Sequence, residues 1–233
     1  MSSATVVDYG VVNLRNILQG LEHVGANTQV TKDPDLILKA DRVILPGVGA
    51  FSAGIAELRS RNLDQALHAV VKKGRPLLGI CLGMQLMLSV SEENGNWPGL
   101  DLIEGKVVRF TGPAQMGKPY KIPQIGWNSI SKPGNVDVNW KNSVLESLDT
   151  EDTAYVYFLH SYFFSCRDNK QILTSTDYHG SFTSIFRNNN IYGVVLISGN
   201  LIQTNNEAAL ISFNLCNNLL SKFSLLDLVI VNF

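Results

Sequence analysis

Cysteine is scarce in this chain, and charge of either sign is not in excess. Three cysteines stand far apart, at Cys81, Cys166 and Cys216. That spacing excludes a disulfide framework and a paired-cysteine metal knuckle. The 19 basic and 20 acidic residues leave a net charge of -1, so nothing in the charge balance points to nucleic acid or an anionic membrane surface. No apolar run reaches the roughly 18 residues needed to span a bilayer. The opening "MSSATVVDYG" has no basic n-region and no long apolar core, so no secretory signal is expected. The expectation is a cytoplasmic protein with reduced thiols, no cofactor, no metal, and no nucleic-acid or membrane partner.

What is present is a globular composition. Hydrophobic residues make up 45% and charged residues 17% of 233, enough for a sizeable core. The first half alternates strands and helices. Thr5–Asp8, Thr28–Val30, Arg42–Leu45 and "RPLLGI" read as strands. Asn13–His23, Ala53–Val71 and Leu82–Val90 read as helices. Such alternation predicts a parallel sheet covered by helices. In the second half, "GKVVRF", "WNSI", "AYVYFLHSYFF", "QILTSTDY", "FTSIFRN" and "IYGVVLI" read as strands between turn clusters. A last helix is expected within Asn206–Leu220. The predicted fold is α/β: a mostly parallel, flavodoxin-like central sheet flanked by helices, with additional antiparallel strands. One domain is expected over residues 1–220, followed by the apolar tail "SLLDLVIVNF" near residues 221–233. That tail would pack as an edge strand or onto a partner.

The stretch "PLLGICLGMQLM" places Cys81 at the centre of a Gly79-Ile80-Cys81-Leu82-Gly83 frame. This is the pattern of a nucleophile elbow with sulfur in place of oxygen. A tight strand-to-helix turn would expose the side chain above the sheet edge, and the glycines would let the backbone double back. The N–H groups of the following helix would favour a thiolate and a tetrahedral oxyanion. The alternative is an inert core thiol, since free cysteine is often buried. "PGVGAF", Pro46–Phe51, follows its own strand and could offer N–H groups to an oxyanion, or could be an ordinary turn.

The segments "DYGVVNL", "LPGVGAF", "LLGICLGMQLM", "PQIGWN" and "YFLHSYFF" occur in an order that resembles the class I (triad-type) glutamine amidotransferases. The resemblance covers roughly residues 4 to 194. Within the family, the chain is most similar to the glutaminase subunits that feed ammonia to a barrel-shaped synthase (cyclase) partner in histidine biosynthesis. The resemblance implies a role for each matched residue. Cys81 would be the nucleophile on the side-chain amide of glutamine, releasing ammonia through a glutamyl thioester. Gly47, Val48 and Gly49 would flank the oxyanion hole, and Gln85 would line the glutamine pocket. Ser161 and Tyr162 would hold the amino-acid end of glutamine. Trp127, Asn128 and Tyr157 would face the synthase in a heterodimer. A partner aminating a surface-polysaccharide sugar remains open, because the ammonia acceptor lies in the partner.

One segment departs from the family. The family's late strand reads G-V-Q-F-H-P-E-K-S, with the histidine as base and the glutamate as its orienter. Here the run is "GVVLISGNL". Counted from Gly193, Ile197 takes the histidine position, Gly199 the glutamate position and Asn200 the lysine position. The other histidines, His23, His68, His160 and His179, are expected on helix surfaces, in the "HSY" segment and in a turn. Three explanations stand: a paralogue that has lost the activity and kept its binding surfaces, a variant with another base, or a short slip in the coding frame.

Overall fold

Three short runs in the first half are buried along almost their whole length, and the fold uses them as inner strands of a parallel sheet. They are β1 (Ser3–Val7), β3 (Val43–Leu45) and β4 (Leu77–Ile80). β2 (Asn27–Thr31) is largely exposed and forms the edge beside β1. A computed structural model describes residues 3–23, 25–111, 121–134, 138, 140, 143, 145, 153–166 and 168–195. The expected helix within Asn206–Leu220, the tail at 221–233 and positions 197, 199 and 200 lie outside those residues.

The sheet order runs β2-β1-β3-β4, then the strands at Ile191–Val194 (β13), Ser181–Asn188 (β12), Tyr162–Cys166 (β10), Ile103–Arg109 (β7), Leu88–Ser91 (β5) and Trp97–Pro98 (β6). Its first five strands are parallel, ending with β13 (Ile191–Val194) against β4. Helices α1 (Leu14–His23), α2 (Pro34–Lys39), α3 (Phe51–Ser60) and α4 (Leu63–Lys72) connect and cover this half. α4 buries Leu63, Ala66, Leu67 and Val70, one stripe at helical spacing. Beyond β13 the strands turn antiparallel: β12 (Ser181–Asn188), β10 (Tyr162–Cys166) and β7 (Ile103–Arg109). β8 (Gln124–Ser131) and β9 (Thr153–His160) form an antiparallel pair, joined to the rest through β11 (Ile172–Asp177). The predicted fold class holds: a helix-covered parallel half continues into antiparallel strands.

Several boundaries differ from the sequence reading, each for a physical reason. The span 53–71 is not one helix. Asn62 adopts the left-handed conformation (φ 57°) and separates α3 from α4; asparagine tolerates that region better than most residues. The helix expected over Leu82–Val90 stops early. Only α5 (Leu82–Leu86) is helical, and β5 (Leu88–Ser91) pairs with β7 and with β6 (Trp97–Pro98). A short apolar run does not distinguish helix from strand by periodicity. "AYVYFLHSYFF" is two strands, β9 and β10, broken at Ser161, because the first pairs with β8 and the second with β7 and β12. α2 has no counterpart in the sequence reading. Its start is fixed by the Asp33 carboxylate, which accepts the Asp35 N–H at 2.9 Å, with Pro34 in the first turn.

The tightest contact in this architecture is the landing of α5 on the ends of β3 and β4. A Cβ on Gly83 would run into the Leu45 carbonyl oxygen, and one on Gly79 would come within 2.7 Å of Met84 Cα. Backbone stands on both sides, so neither neighbour can give way. Gly83→Ala is therefore expected to destabilise the fold by about 3 kcal/mol or to prevent folding. Urea unfolding of the variant beside the parent measures it.

Candidate active site at the Cys81 corner

Cys81 is the single residue between β4 and α5, and its backbone (φ 53°, ψ −117°) lies where L-residues rarely go. Such strain persists only where the surroundings over-determine it. Here the Cys81 N–H donates to the Val194 carbonyl at 2.9 Å, and its carbonyl accepts the Gln85 N–H at 3.2 Å. One bond ties the corner to β13, the other to α5. The elbow expected from the Gly79–Gly83 frame is therefore present, with Cys81, half-buried as a residue, at its tip.

The electrostatics of the sulfur are less favourable than the geometry. Burial pushes the Cys81 thiol up to about 11, and the Leu82 N–H donated to it pulls only weakly the other way. At pH 7 such a thiol is ionised in roughly one molecule in 10⁴. Among the described residues, no histidine or carboxylate hydrogen-bonds the sulfur. His68 is exposed on α4, and His179 sits at φ 60° in the turn between β11 and β12. His160 is committed elsewhere, to Tyr162 and Gln124. The side chain of His23 lies outside the described residues.

The Pro46–Phe51 turn stands beside the corner. Gly47 is buried and approaches α5 so closely that a Cβ there would lie 2.9 Å from Gly83 N. Gly49 needs a positive φ of 88°. The Val48 N–H already donates to the Val11 carbonyl at 3.2 Å, so in this geometry it is not offered to an oxyanion. Glu93 closes the turn from the far side, accepting the Phe51 N–H at 2.7 Å. No sequence signal marks Glu93, because the contact joins residues 42 positions apart.

The "HSY" segment meets α5 through one carbonyl. Gln85 Nε2–H donates to the Tyr162 carbonyl at 3.3 Å, and His160 Nδ1 stands 2.9 Å from the same oxygen. A carbonyl only accepts, so Nδ1 carries the proton. His160 Nε2 faces the Gln124 side-chain amide at 3.1 Å. Burial holds the His160 pKa down at about 4, against a smaller upward pull from the Tyr162 carbonyl, so the ring is neutral at pH 7. The atom placed opposite Nε2 is Gln124 Oε1; with a neutral ring Nε2 is an acceptor, so the amide oxygen and nitrogen of Gln124 are to be read exchanged, with the NH₂ donating. Phe110, Phe158 and Phe182 enclose the ring at centroid distances of 5.1 to 5.4 Å. Ser161 lies at the strand break, its carbonyl accepting the Phe110 N–H at 3.2 Å. Cys81, Gln85 and Tyr162 are thus brought together. Gly47, Val48 and Gly49 lie on the neighbouring turn.

The three residues expected to face a partner separate into two groups. Trp127 and Tyr157 are cross-strand neighbours on β8 and β9, their rings edge-on at 5.8 Å. With Ile125, Tyr155 and Leu159 they form an exposed apolar ribbon; Trp127 is 44% and Ile125 61% accessible. Asn128 follows Trp127, so its side chain alternates to the other side of the strand. It donates to the Asp177 carbonyl at 3.0 Å and accepts the Ser129 N–H at 2.8 Å, which ties β8 to the end of β11.

Comparison with known proteins agrees with this geometry. The glutamine amidotransferase class-I family model matches residues 5–194, and the chain belongs to that family. Among curated proteins, the imidazole glycerol phosphate synthase subunit HisH of Salinibacter ruber is 39% identical over 191 residues, 82% of this chain and 84% of that one. The Bacillus subtilis HisH subunit is 38% identical over 188 residues, 81% and 84% of the two chains. Of the solved structures, PurLQS from Thermotoga maritima superposes with a TM-score of 0.61 at 17% identity, covering 95% of this chain and 99% of that chain. The glutaminase domain of Trypanosoma brucei CTPS gives 0.59 at 13%, covering 99% of this chain and 97% of that chain. The structural likenesses speak for the fold alone.

The buried neutral His160 makes stability depend on pH. Its folded pKa lies below its unfolded value of about 6.5, so the unfolded chain binds the proton more readily. The stability is fully present above about pH 6.5 and is lost as pH falls towards 4, by up to about 3 kcal/mol. Urea midpoints measured from pH 7 to pH 4 should fall in that window. The fall should be smaller in His160→Gln.

Among the described residues, no helix is long and apolar enough to cross a membrane. Nor is any group of three or more His, Cys, Asp or Glu placed to hold a metal.

Proposed function

We propose that the chain is the glutaminase subunit of an imidazole glycerol phosphate synthase, hydrolysing glutamine to glutamate and ammonia in the cytoplasm. The observation that carries the reading is the Cys81 corner, a nucleophile-elbow geometry within a chain whose relatives include HisH subunits. Cys81 Sγ would attack the side-chain amide carbon of glutamine. The amide nitrogen leaves as ammonia once it has gained a proton. The resulting thioester is then opened by water to give glutamate and the free thiol. Gln85, which reaches the Tyr162 carbonyl, would with Ser161 and Tyr162 hold the amino-acid end of glutamine, and the 47–49 turn would lie beside the developing oxyanion. The ammonia passes to a barrel-shaped cyclase subunit, which uses it to make imidazole glycerol phosphate and AICAR.

The ribbon of Ile125, Trp127, Tyr155, Tyr157 and Leu159 is the surface that suits such a partner. An aromatic pair with apolar neighbours is typical of the centre of a protein interface. In this reading Trp127 and Tyr157 touch the synthase, while Asn128 holds their strand in place. The test is binding to the synthase subunit from the same organism, followed by calorimetry. A complex at micromolar concentrations is expected. Trp127→Ala should weaken it by about 2 kcal/mol, close to thirtyfold. The absence of any complex would count against the reading.

A specific observation favours a second reading, that of a glutaminase-like partner with impaired catalysis. The family match ends at residue 194, and Ile197 and Gly199 occupy the positions of base and orienter. Neither can move a proton. β13 runs parallel to β4 with Val194 opposite Ile80, so the end of β13 stands at the sheet edge that carries Cys81. That is where a base would have to be supplied. Loss of a triad member costs on the order of 10⁴ to 10⁶ in rate, or about 5 to 8 kcal/mol of barrier.

Glutamine turnover, assayed with the synthase and its ligand present, is therefore expected to be lower by that factor than in a triad enzyme. Synthesis from free ammonia should proceed normally, because it bypasses the thiol. Ile197→His together with Gly199→Glu should raise glutamine turnover, and either change alone should do little. Turnover of about 1 s⁻¹ in the unaltered chain, ordinary for an enzyme, would place an effective base elsewhere. Reading the gene across codons 194 to 203 tests the frame slip directly.

A further inference from the structure

The "DYG" motif carries a side chain to which the mechanism assigns no task. Tyr9 is wholly buried, and its hydroxyl has no hydrogen-bond partner among the described residues. An unpaired buried hydroxyl is costly, and phenylalanine would fill the same space without that cost. The position of the oxygen accounts for it. A Cβ on Gly47 would run into Tyr9 Oη, and the same point lies 2.9 Å from Gly83 N and from Leu82 Cβ. The hydroxyl is therefore wedged between the Pro46–Phe51 turn and the first turn of α5. It also lies within electrostatic reach of Cys81. Burial first, and then a negative Cys81, push the phenol far above its ordinary value. Tyr9 keeps its proton at any ordinary pH. It can donate, and it cannot serve as a base.

We propose that Tyr9 Oη–H is a second hydrogen-bond donor to the Cys81 sulfur, beside the Leu82 N–H, engaged when the sulfur is anionic. A neutral thiol is a weak acceptor, and a thiolate in a water-poor site is a strong one. The hydroxyl, unpaired at the start of α5, turns to the sulfur when the thiol loses its proton. That proton goes to hydroxide or to whatever base the site receives, while Tyr9 retains its own. The arrangement favours the thiolate at a corner where burial opposes it. The role rests on Cys81 being the nucleophile, yet the chemistry of the sulfur can be read without any turnover.

The test is the rate at which iodoacetamide alkylates Cys81 as a function of pH. Mass spectrometry of the Cys81 peptide excludes Cys166 and Cys216 from the readout. Full-length parent and Tyr9→Phe are compared. In Tyr9→Phe the profile should move about one unit to higher pH, so that alkylation at a fixed pH below the midpoint is about tenfold slower. Its melting temperature should be unchanged or higher, because an unpaired hydroxyl has been removed. Superimposable profiles, or a shift to lower pH, would overturn the proposal. A second arm keeps the test open if Tyr9→Phe does not fold. Replacing all tyrosines by 3-fluorotyrosine makes the phenol a stronger donor at nearly constant shape. The profile should then move to lower pH, and no movement would also overturn the proposal. An inactive glutaminase leaves both arms readable, so failure here and failure of the glutaminase reading are separate results.

Discussion

The architecture depends on one close approach. The backbone of α5 lies against the Leu45 carbonyl and across the end of β4, at distances that leave no room for a side chain on Gly83 or Gly79. That contact turns the chain sharply enough to hold Cys81 at a positive φ. It also brings the Pro46–Phe51 turn, α5 and β13 to one point. Gly193 repeats the constraint from the other side, since a Cβ there would come within 2.6 Å of Met84 Cγ. The candidate site is thus a by-product of packing between backbones. Its geometry survives whether or not the sulfur can be ionised efficiently.

Geometry and electrostatics pull in different directions at this corner. Enclosure makes the elbow rigid, and the same enclosure penalises a charge on the sulfur. His160 shows the same conflict resolved differently. Its ring is held neutral among three phenylalanines, and its two nitrogens are spent on Tyr162 and Gln124. It organises the wall of the pocket and is in no position to take a proton from Cys81.

Much of this is legible in the sequence, and the remainder is hidden for identifiable reasons. The Gly79–Gly83 frame points to the elbow, because glycines let the chain double back at a strand end, although an inert core thiol fits the same residues. Trp127 and Tyr157 are legible as a surface pair. Adjacency groups Asn128 with them, although strand alternation sends its side chain to the other face. β5 is hidden inside an apolar run that reads equally well as helix. The contact of Glu93 with Phe51 and the site of the Tyr9 hydroxyl cannot be read at all. Both are made by segments distant in sequence, and local pattern carries no trace of them.

The pairing of β13 with β4 has a consequence for how such a protein can change over generations. Among the described residues, Val194 is both the last register partner of β13 on β4 and the anchor for the Cys81 N–H. A change that slipped β13 along β4 by one residue would shift that anchor with it. Sheet register and the placement of the nucleophile are therefore inherited together. Scaffold and reactivity meet in this chain at a seam one residue wide.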